Sequence, residues 1–354
     1  MKRIEKLKKR LLQENVASYL ITKRENVRYL SGFTGSSGAV LITPEKNYFI
    51  TDFRYVEQAQ KQCPGFIIEK HEDTIFTHAA LLVKNHGINT LHFEGDALTF
   101  REYRELSEKA DGIELQNLSE VVDELREVKD KDEVELIKKA CSIADDAFSH
   151  LLKRITSGMT EKELAWELEK YMREAGAEDL AFDTIVASGE RGALPHGVAT
   201  SKKITPGEMI TLDFGAKFQG YHSDITRTIA LGEPPAKMLE IYEIVLEAQE
   251  AALNALKPGA FAVDVDRVAR DIIAKAGYAE YFGHGLGHGV GLNIHEGPRL
   301  SPKGKAVLQP GMVVTVEPGI YLPGIGGVRI EDTVLVTENG FEVLTHSPKS
   351  LIVL

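Results

Sequence analysis

Apolar residues recur at spacings of three and four from Val134 through Ile137, Cys141, Ala144 and Phe148 to Leu152, which predicts a long amphipathic helix from about Asp132. A second helix is predicted after Gly158-Met-Thr160, with Thr160 as its cap and Glu163 completing a capping box. Two more are expected over Pro235 to Leu256 and Val263 to Ala276, closed by Lys257-Pro-Gly259 and Gly277. Each helix pair precedes a segment with the two-residue alternation of strands. The first third reads differently. A basic helix at the N-terminus has Ile4, Leu7, Leu11 and Leu12 on one face, and short β-rich runs follow at Ala17 to Thr22, Ala39 to Thr43 and Tyr48 to Thr51. Helical stretches around Tyr55 to Gln62 and Thr74 to Asn85 alternate with them, the pattern of a small α/β domain. The charged stretch from Asp123 to Asp132 marks the boundary, giving expected domains of 1–127 and 128–354.

The strand segments of the second domain contain a ten-residue repeat. Pro206-Gly-Glu-Met-Ile-Thr-Leu-Asp213-Phe-Gly215 and Pro310-Gly-Met-Val-Val-Thr-Val-Glu317-Pro-Gly319 align without a gap, with Asp213 opposite Glu317. Each strand leads through a turn into another that carries its own acid, Asp224 in the first copy and Glu331 in the second. A turn near Phe218 and Gln219 would set Asp213 directly across from Asp224, and one near Gly324 would set Glu317 across from Glu331. The duplication implies a pseudo-twofold domain of two αα-ββ halves, helices outside and curved sheet inside.

Opposed acids on neighbouring strands repel each other. Leu212, Val314, Val316 and Ile330 argue that these strands are buried, and buried carboxylates ionise only when paired or bound to metal. The run Gly283-His284-Gly-Leu-Gly-His288-Gly-Val-Gly-Leu-Asn-Ile-His295 supplies nitrogen ligands, its alternating glycines letting backbone approach closely. His288 is the first choice as ligand. A phosphate cradle is excluded because no Lys-Ser/Thr follows, and the same holds for Gly32 to Gly38. Four carboxylates and one imidazole suit two hard or borderline divalent ions, manganese first, with cobalt or zinc as alternatives. Two such ions about 3.5–4 Å apart activate a shared water and polarise a carbonyl, so hydrolysis is the natural reaction class.

Composition changes the picture only by exclusion. With 42 basic and 53 acidic residues the formal charge is −11, without the basic footprint that nucleic-acid binding needs. The two cysteines, Cys63 and Cys141, are too few for a disulfide scaffold, and a reducing cytoplasm is the expected setting. No segment is apolar enough for a secretory leader or a membrane span.

The order Asp213, Asp224, His288, Glu317, Glu331, set in Thr-Leu-Asp-Phe-Gly, Ser-Asp-Ile-Thr-Arg-Thr, Gly-His-Gly-Leu-Gly-His, Thr-Val-Glu-Pro-Gly-Ile-Tyr and Gly-Val-Arg-Ile-Glu-Asp, resembles the pita-bread metallopeptidases. Tyr29-Leu-Ser-Gly-Phe-Thr-Gly-Ser-Ser-Gly38 and Thr51-Asp-Phe-Arg-Tyr55 resemble the creatinase-like N-terminal domain of aminopeptidase P and prolidase. The resemblance implies two divalent metal ions, bridged by Asp224 and Glu331, with Asp213 terminal on one and His288 and Glu317 terminal on the other. It implies that Glu317 also shuttles a proton, that His284 and His295 contact substrate, and that His196 lies at the site. Arg329 would partner the metal carboxylates and Tyr321 would wall the site. The implied activity is removal of the residue before proline from short peptides, by an Xaa-Pro aminopeptidase or, alternatively, a prolidase restricted to dipeptides. Arg299 is read either as a clamp for the free carboxylate of a dipeptide or as a solvated loop charge. A homodimer is implied as well, with Asp52 and Arg54 near its interface or paired within their own domain. Relatives that use the fold without metal lack this ligand set.

Overall fold

The computed structural model describes residues 2–354. The chain divides into a compact unit ending at Arg126 and a second spanning Glu127–Leu354. The first contains α1 (Lys2–Gln13), β1 (Tyr19–Ile21), α2 (Arg24–Ser31), β2 (Ala39–Ile42), β3 (Asn47–Thr51), α3 (Val56–Gln62), β4 (Ile67–Lys70), α4 (Ile75–Asn85), β5 (Thr90–Phe93), α5 (Phe100–Lys109), β6 (Glu114–Asn117) and, at its end, α6 (Val121–Glu127). Its six strands form one sheet in the order β4-β3-β2-β1-β5-β6. The central three are antiparallel, while β4, β5 and β6 add in parallel. Parallel pairs need long crossovers, and α3 and α5 lie between β3 and β4 and between β5 and β6. Leu20, Leu41, Ile50, Val83, Leu91 and Leu106 form the core.

Helix α1 buries Ile4, Leu7 and Leu11, but Leu12 is 78% exposed, contrary to the expected face. At 100° per residue, position 12 lies well off the stripe set by 4, 7 and 11. The expected helix around Thr74 begins with the Thr74 side chain accepting from the amide of Thr77. Helix α2, with Gly32 as its left-handed cap, was not among the expected elements.

The second unit comprises α7 (Lys131–Leu152), α8 (Glu161–Glu174), β7 (Asp179–Leu180), β8 (Ile185–Ser188), β9 (Glu208–Phe214), β10 (Ala216–Phe218), β11 (Tyr221–His222) and β12 (Ile225–Leu231), followed by α9 (Ala236–Ala255), α10 (Ala262–Lys275), β13 (Gly287–Gly289), β14 (Glu296–Leu300), β15 (Val313–Val316), β16 (Gly319–Leu322), β17 (Gly326–Arg329), β18 (Asp332–Thr337) and β19 (Gly340–Val343). The capping box at Thr160 and Glu163 forms as expected. Two helices and a set of antiparallel strands thus occur twice. One apolar core, including Phe148, Leu164, Ile210 and Phe214, lies between α7, α8 and the first strands. The other, including Ile241, Val265, Val314 and Val334, lies between α9, α10 and the second set. No helix among the described residues is long and apolar enough to cross a membrane.

The two hairpins differ from one another in how well sequence anticipates them. The first turns at Gln219 and Gly220, whose φ values are 46° and 85°, so Phe218 pairs with Tyr221. A two-residue hairpin of this hand needs positive φ at both central positions, which Gly220 tolerates and Phe218 would resist. The turn therefore lies later than expected, and Asp213 faces Thr226 rather than Asp224. The shift is two residues along β12, which keeps both acids on one face but sets them diagonally. In the second hairpin Val316 pairs with Asp332 and Gly319 with Arg329, around a turn at Gly324. Continuing that register across Pro318 brings Glu317 opposite Glu331, as expected.

Candidate metal centre

The inner ends of these strands open on a cavity of about 920 Å³ that collects every residue singled out from the sequence: Asp213, Asp224, His288, Glu317 and Glu331, with His196, His284, His295, Arg299, Tyr321 and Arg329. Asp213 comes from β9, Asp224 from the residue before β12, His288 from β13, Glu317 from just after β15, and Glu331 from between β17 and β18. The alternating glycines admit β13 to this crowded place. A Cβ at Gly287 would stand 2.0 Å from the carbonyl of Thr315, and one at Gly289 within 1.9 Å of the carbonyl of Gly297.

Ligand atoms of Asp224, His288 and Glu331 lie within 4.8 Å of one another. The His288 Nε2 is 3.5 Å from Asp224 Oδ2 and 3.4 Å from Glu317 Oε1. Burial holds this imidazole down to about 4, so it is neutral at physiological pH. Its Nδ1 lies 3.0 Å from the carbonyl of Gly289, which can only accept, so Nδ1 carries the proton and donates. Nε2 then points a lone pair at two carboxylates. Asp213 Oδ1 and Glu331 Oε1 are buried without a hydrogen-bond partner. Burial first, then the neighbouring acids, push Asp224 and Glu331 well above the usual carboxylate range, and burial raises Glu317 to about 8. Lone pairs converging from an imidazole and several carboxylates, with two orphaned oxygens, fit the donor set of divalent cations.

The surrounding side chains orient these groups. Arg329 is buried and donates from Nη2 to Asp213 Oδ2 at 2.6 Å, from Nη1 to the Tyr321 hydroxyl at 3.0 Å and the Pro195 carbonyl at 3.2 Å, and from Nε to Thr226 Oγ1 at 3.1 Å. The Tyr321 hydroxyl donates in turn to His284 Nε2 at 2.9 Å, because His284 Nδ1 is committed to the Gly285 carbonyl at 2.8 Å. Burial lowers His284 to about 4, and it too is neutral. Its loop is held by Arg270, which donates to the carbonyls of Phe282 and His284 and is itself held through Nε and Nη2 by the two oxygens of buried Asp266. His295 stacks edge-on against His288 at 4.4 Å between centroids, and like His196 it is exposed on the cavity wall. Arg299 is also exposed there, on strand β14 rather than in a loop.

Two threonines escaped the reading of the sequence. Thr226 Oγ1 donates to Glu331 Oε2 at 2.7 Å, and Thr315 Oγ1 donates to Glu317 Oε1 at 3.1 Å while accepting from the amide of His288. The repeat carried a signal for the second, since a threonine stands two residues before the acid in both copies, Thr211 and Thr315. The apolar wall formed by Phe182, Ile185 and Val198 had no such signal.

The pattern of metallopeptidase family M24 matches residues 135–338, the span that contains all five candidate ligands. The chain belongs to family M24. Its first unit matches the creatinase/prolidase N-terminal domain over residues 3–128. The structure of an Xaa-Pro dipeptidase from Bacillus anthracis is 50% identical in sequence, covers 100% of this chain and 99% of that one, and superimposes with a TM-score of 0.98. The Xaa-Pro dipeptidase of Pyrococcus furiosus is 45% identical over 353 residues, 99% of each chain. An X-Pro aminopeptidase structure from Thermotoga maritima is 42% identical, with 96% and 97% coverage and a TM-score of 0.89. The two-domain architecture is that of these enzymes, and this M24 chain is a metallopeptidase whose site is built for divalent metal.

Proposed function

We propose that this M24 enzyme hydrolyses the bond before proline in Xaa-Pro dipeptides, with two divalent ions, manganese first, held by Asp213, Asp224, His288, Glu317 and Glu331. The dipeptide reading is carried by Arg299. Its guanidinium has no hydrogen bond or ion pair among the described residues, yet it lines the cavity that holds the acids. An unpartnered planar fork suits the free carboxylate of a dipeptide, which a longer peptide would present farther along. The Xaa-Pro dipeptidases among the relatives support the same choice. A bond before proline offers no N–H and has a fixed φ, so a site must recognise it by shape and by its termini.

Asp213, Asp224, His288, Glu317 and Glu331 would hold the two ions, with ligand atoms of Asp224, His288 and Glu331 already close together. Bound ions would acidify a water and polarise the scissile carbonyl. The remaining work belongs to protein groups. Glu317, held through one oxygen by the Thr315 hydroxyl, can accept a proton at the other and return it to the departing imide nitrogen. His295 and His196, exposed on the wall, can contact substrate. The neutral ring of His284 fixes the Tyr321 hydroxyl against Arg329. Phe182, Ile185 and Val198 offer an apolar surface on which a proline ring excludes water. Free, buried Cys63 and Cys141 support a reducing, cytoplasmic setting; the homodimer rests on family likeness.

A second reading, Xaa-Pro aminopeptidase, is favoured by the cavity itself. Its volume of about 920 Å³ is at the upper end of small-molecule pockets and leaves room beyond proline. Rates on a panel of Xaa-Pro and Xaa-Pro-Yaa peptides separate the two. Under the dipeptidase reading Arg299→Ala raises KM for dipeptides by roughly tenfold or more with kcat little changed, the signature of lost ground-state binding. Faster cleavage of tripeptides, with Arg299→Ala silent, would leave the aminopeptidase reading in its place.

A further inference from the structure

Helix α8 does more than pack against α7. Its first residue, Glu161, is 0% exposed and points its carboxylate into the segment that runs from the end of β8 to Thr200. Oε1 accepts from the Ser188 amide at 2.9 Å and the Ser188 hydroxyl at 3.0 Å. Oε2 accepts from the Thr200 amide at 3.0 Å and the Thr200 hydroxyl at 2.7 Å, and the Nε of Arg191 stands 3.3 Å away. Arg191 in turn donates from Nη2 to the Val198 carbonyl at 2.6 Å. One buried carboxylate therefore ties both ends of a thirteen-residue segment and, through Arg191, its middle. The segment carries Pro195, His196 and Val198, all on the cavity wall, and the Pro195 carbonyl accepts from the same Arg329 that holds Asp213.

We infer that Glu161 is a positioning residue for the proposed peptidase reaction: it holds the 188–200 segment so that His196 stands at the substrate. The inference rests on the Xaa-Pro reading for its substrate, while the clamp rests on geometry alone. A loop tip bearing an exposed imidazole has few apolar contacts of its own to hold it, and a displacement of about 1 Å at a substrate-contacting group can lower a rate on the order of 10²-fold. Glu161→Gln is nearly isosteric, but its amide must turn a donor toward the amide of either Ser188 or Thr200, so one end of the segment loses its hydrogen bonds to residue 161.

The test is a double-mutant cycle with His196→Ala, read as kcat and KM on an Xaa-Pro dipeptide, with metal content and hydrogen exchange of residues 189–200 measured on the same proteins. Glu161→Gln is expected to lower kcat/KM at least about tenfold with metal content unchanged and faster exchange over 189–200, and to add less than about twofold once His196 is Ala. If Glu161→Gln fails to fold, Thr200→Val removes one of the same bonds and should show a smaller loss that again disappears in the His196→Ala background. Unchanged exchange and parent-like kinetics overturn the inference, as does a loss that persists in full without His196. A parent protein that cleaves no Xaa-Pro peptide sinks the Xaa-Pro reading alone, and the clamp then stands or falls on the exchange of 189–200.

Discussion

The guanidinium of Arg329 is bonded directly to the Asp213 carboxylate, and replacing it tests the electrostatic account of the site. It is 3% exposed and donates to Asp213, Tyr321, Thr226 and the Pro195 carbonyl. Arg329→Met keeps much of the apolar stem and deletes the charge. Removing one partner of a buried ion pair costs about 3–5 kcal/mol because the other charge is stranded. Asp213 retains 14% side-chain exposure, which places the expected loss near the lower end, about 3 kcal/mol, in metal-stripped protein. For a domain of this size that corresponds to a fall in Tm of about 6–12 °C. With divalent metal bound, the cations neutralise the same acids, so the fall should be less than half as large. The assay is thermal unfolding of parent, Arg329→Lys and Arg329→Met, each with chelator and with saturating manganese. Lysine, which keeps the charge without the planar fork, should recover part of the loss. Equal falls with and without metal would refute the idea that Arg329 and the metal answer the same negative charge.

Metal ligands and the other site groups should separate cleanly among the histidines: His288→Ala, like Asp224→Asn, is expected to deplete bound metal, whereas His295→Ala retains it and lowers turnover on the order of 10²-fold through a lost substrate contact, and His284→Ala, whose ring nitrogens are both bonded within the protein, retains metal and lowers turnover by freeing the Tyr321 hydroxyl, by elemental analysis and initial rates. The metal-stripped protein should also respond to pH in the direction set by its raised carboxyls. Glu317 keeps its proton up to about pH 8 in the fold but loses it near 4.5 when unfolded, so between those values the native state binds more protons and stability falls as pH rises. Melting curves of chelated protein at pH 7 and pH 8 check the sign, above the range in which the buried neutral His284 and His288 add the opposite slope; calorimetric titration with manganese in buffers of different ionisation enthalpy should show protons released on binding. A chelated protein that gains stability from pH 7 to pH 8 would contradict the assignment.

Local rules carried the sequence far. The spacing of Val134 to Leu152, the Thr160 and Glu163 capping box and the terminators after Leu256 and Ala276 located the helices to within a residue or two, because propensity and capping act within one turn of chain. The internal repeat disclosed the two halves and, with the strands that follow it, pointed to Asp213, Asp224, Glu317 and Glu331, since a buried carboxylate must be paired or bound to metal; Asp183, which also lines the cavity, carried no such signal. Registry was legible only where the turn residue was unambiguous: Gly324 fixed Glu317 opposite Glu331, but the choice between Phe218–Gln219 and Gln219–Gly220 moved Asp213 from Asp224 to Thr226. Only the tertiary structure could decide which polar side chains stand behind the acids. Thr226, Thr315 and Glu161 reach their partners across 105, 2 and 39 positions of sequence, and apart from the repeated threonine, periodicity says nothing about such pairs. They follow from how two helix-backed sheets close on one cavity, where every buried lone pair and donor must find a partner or a cation.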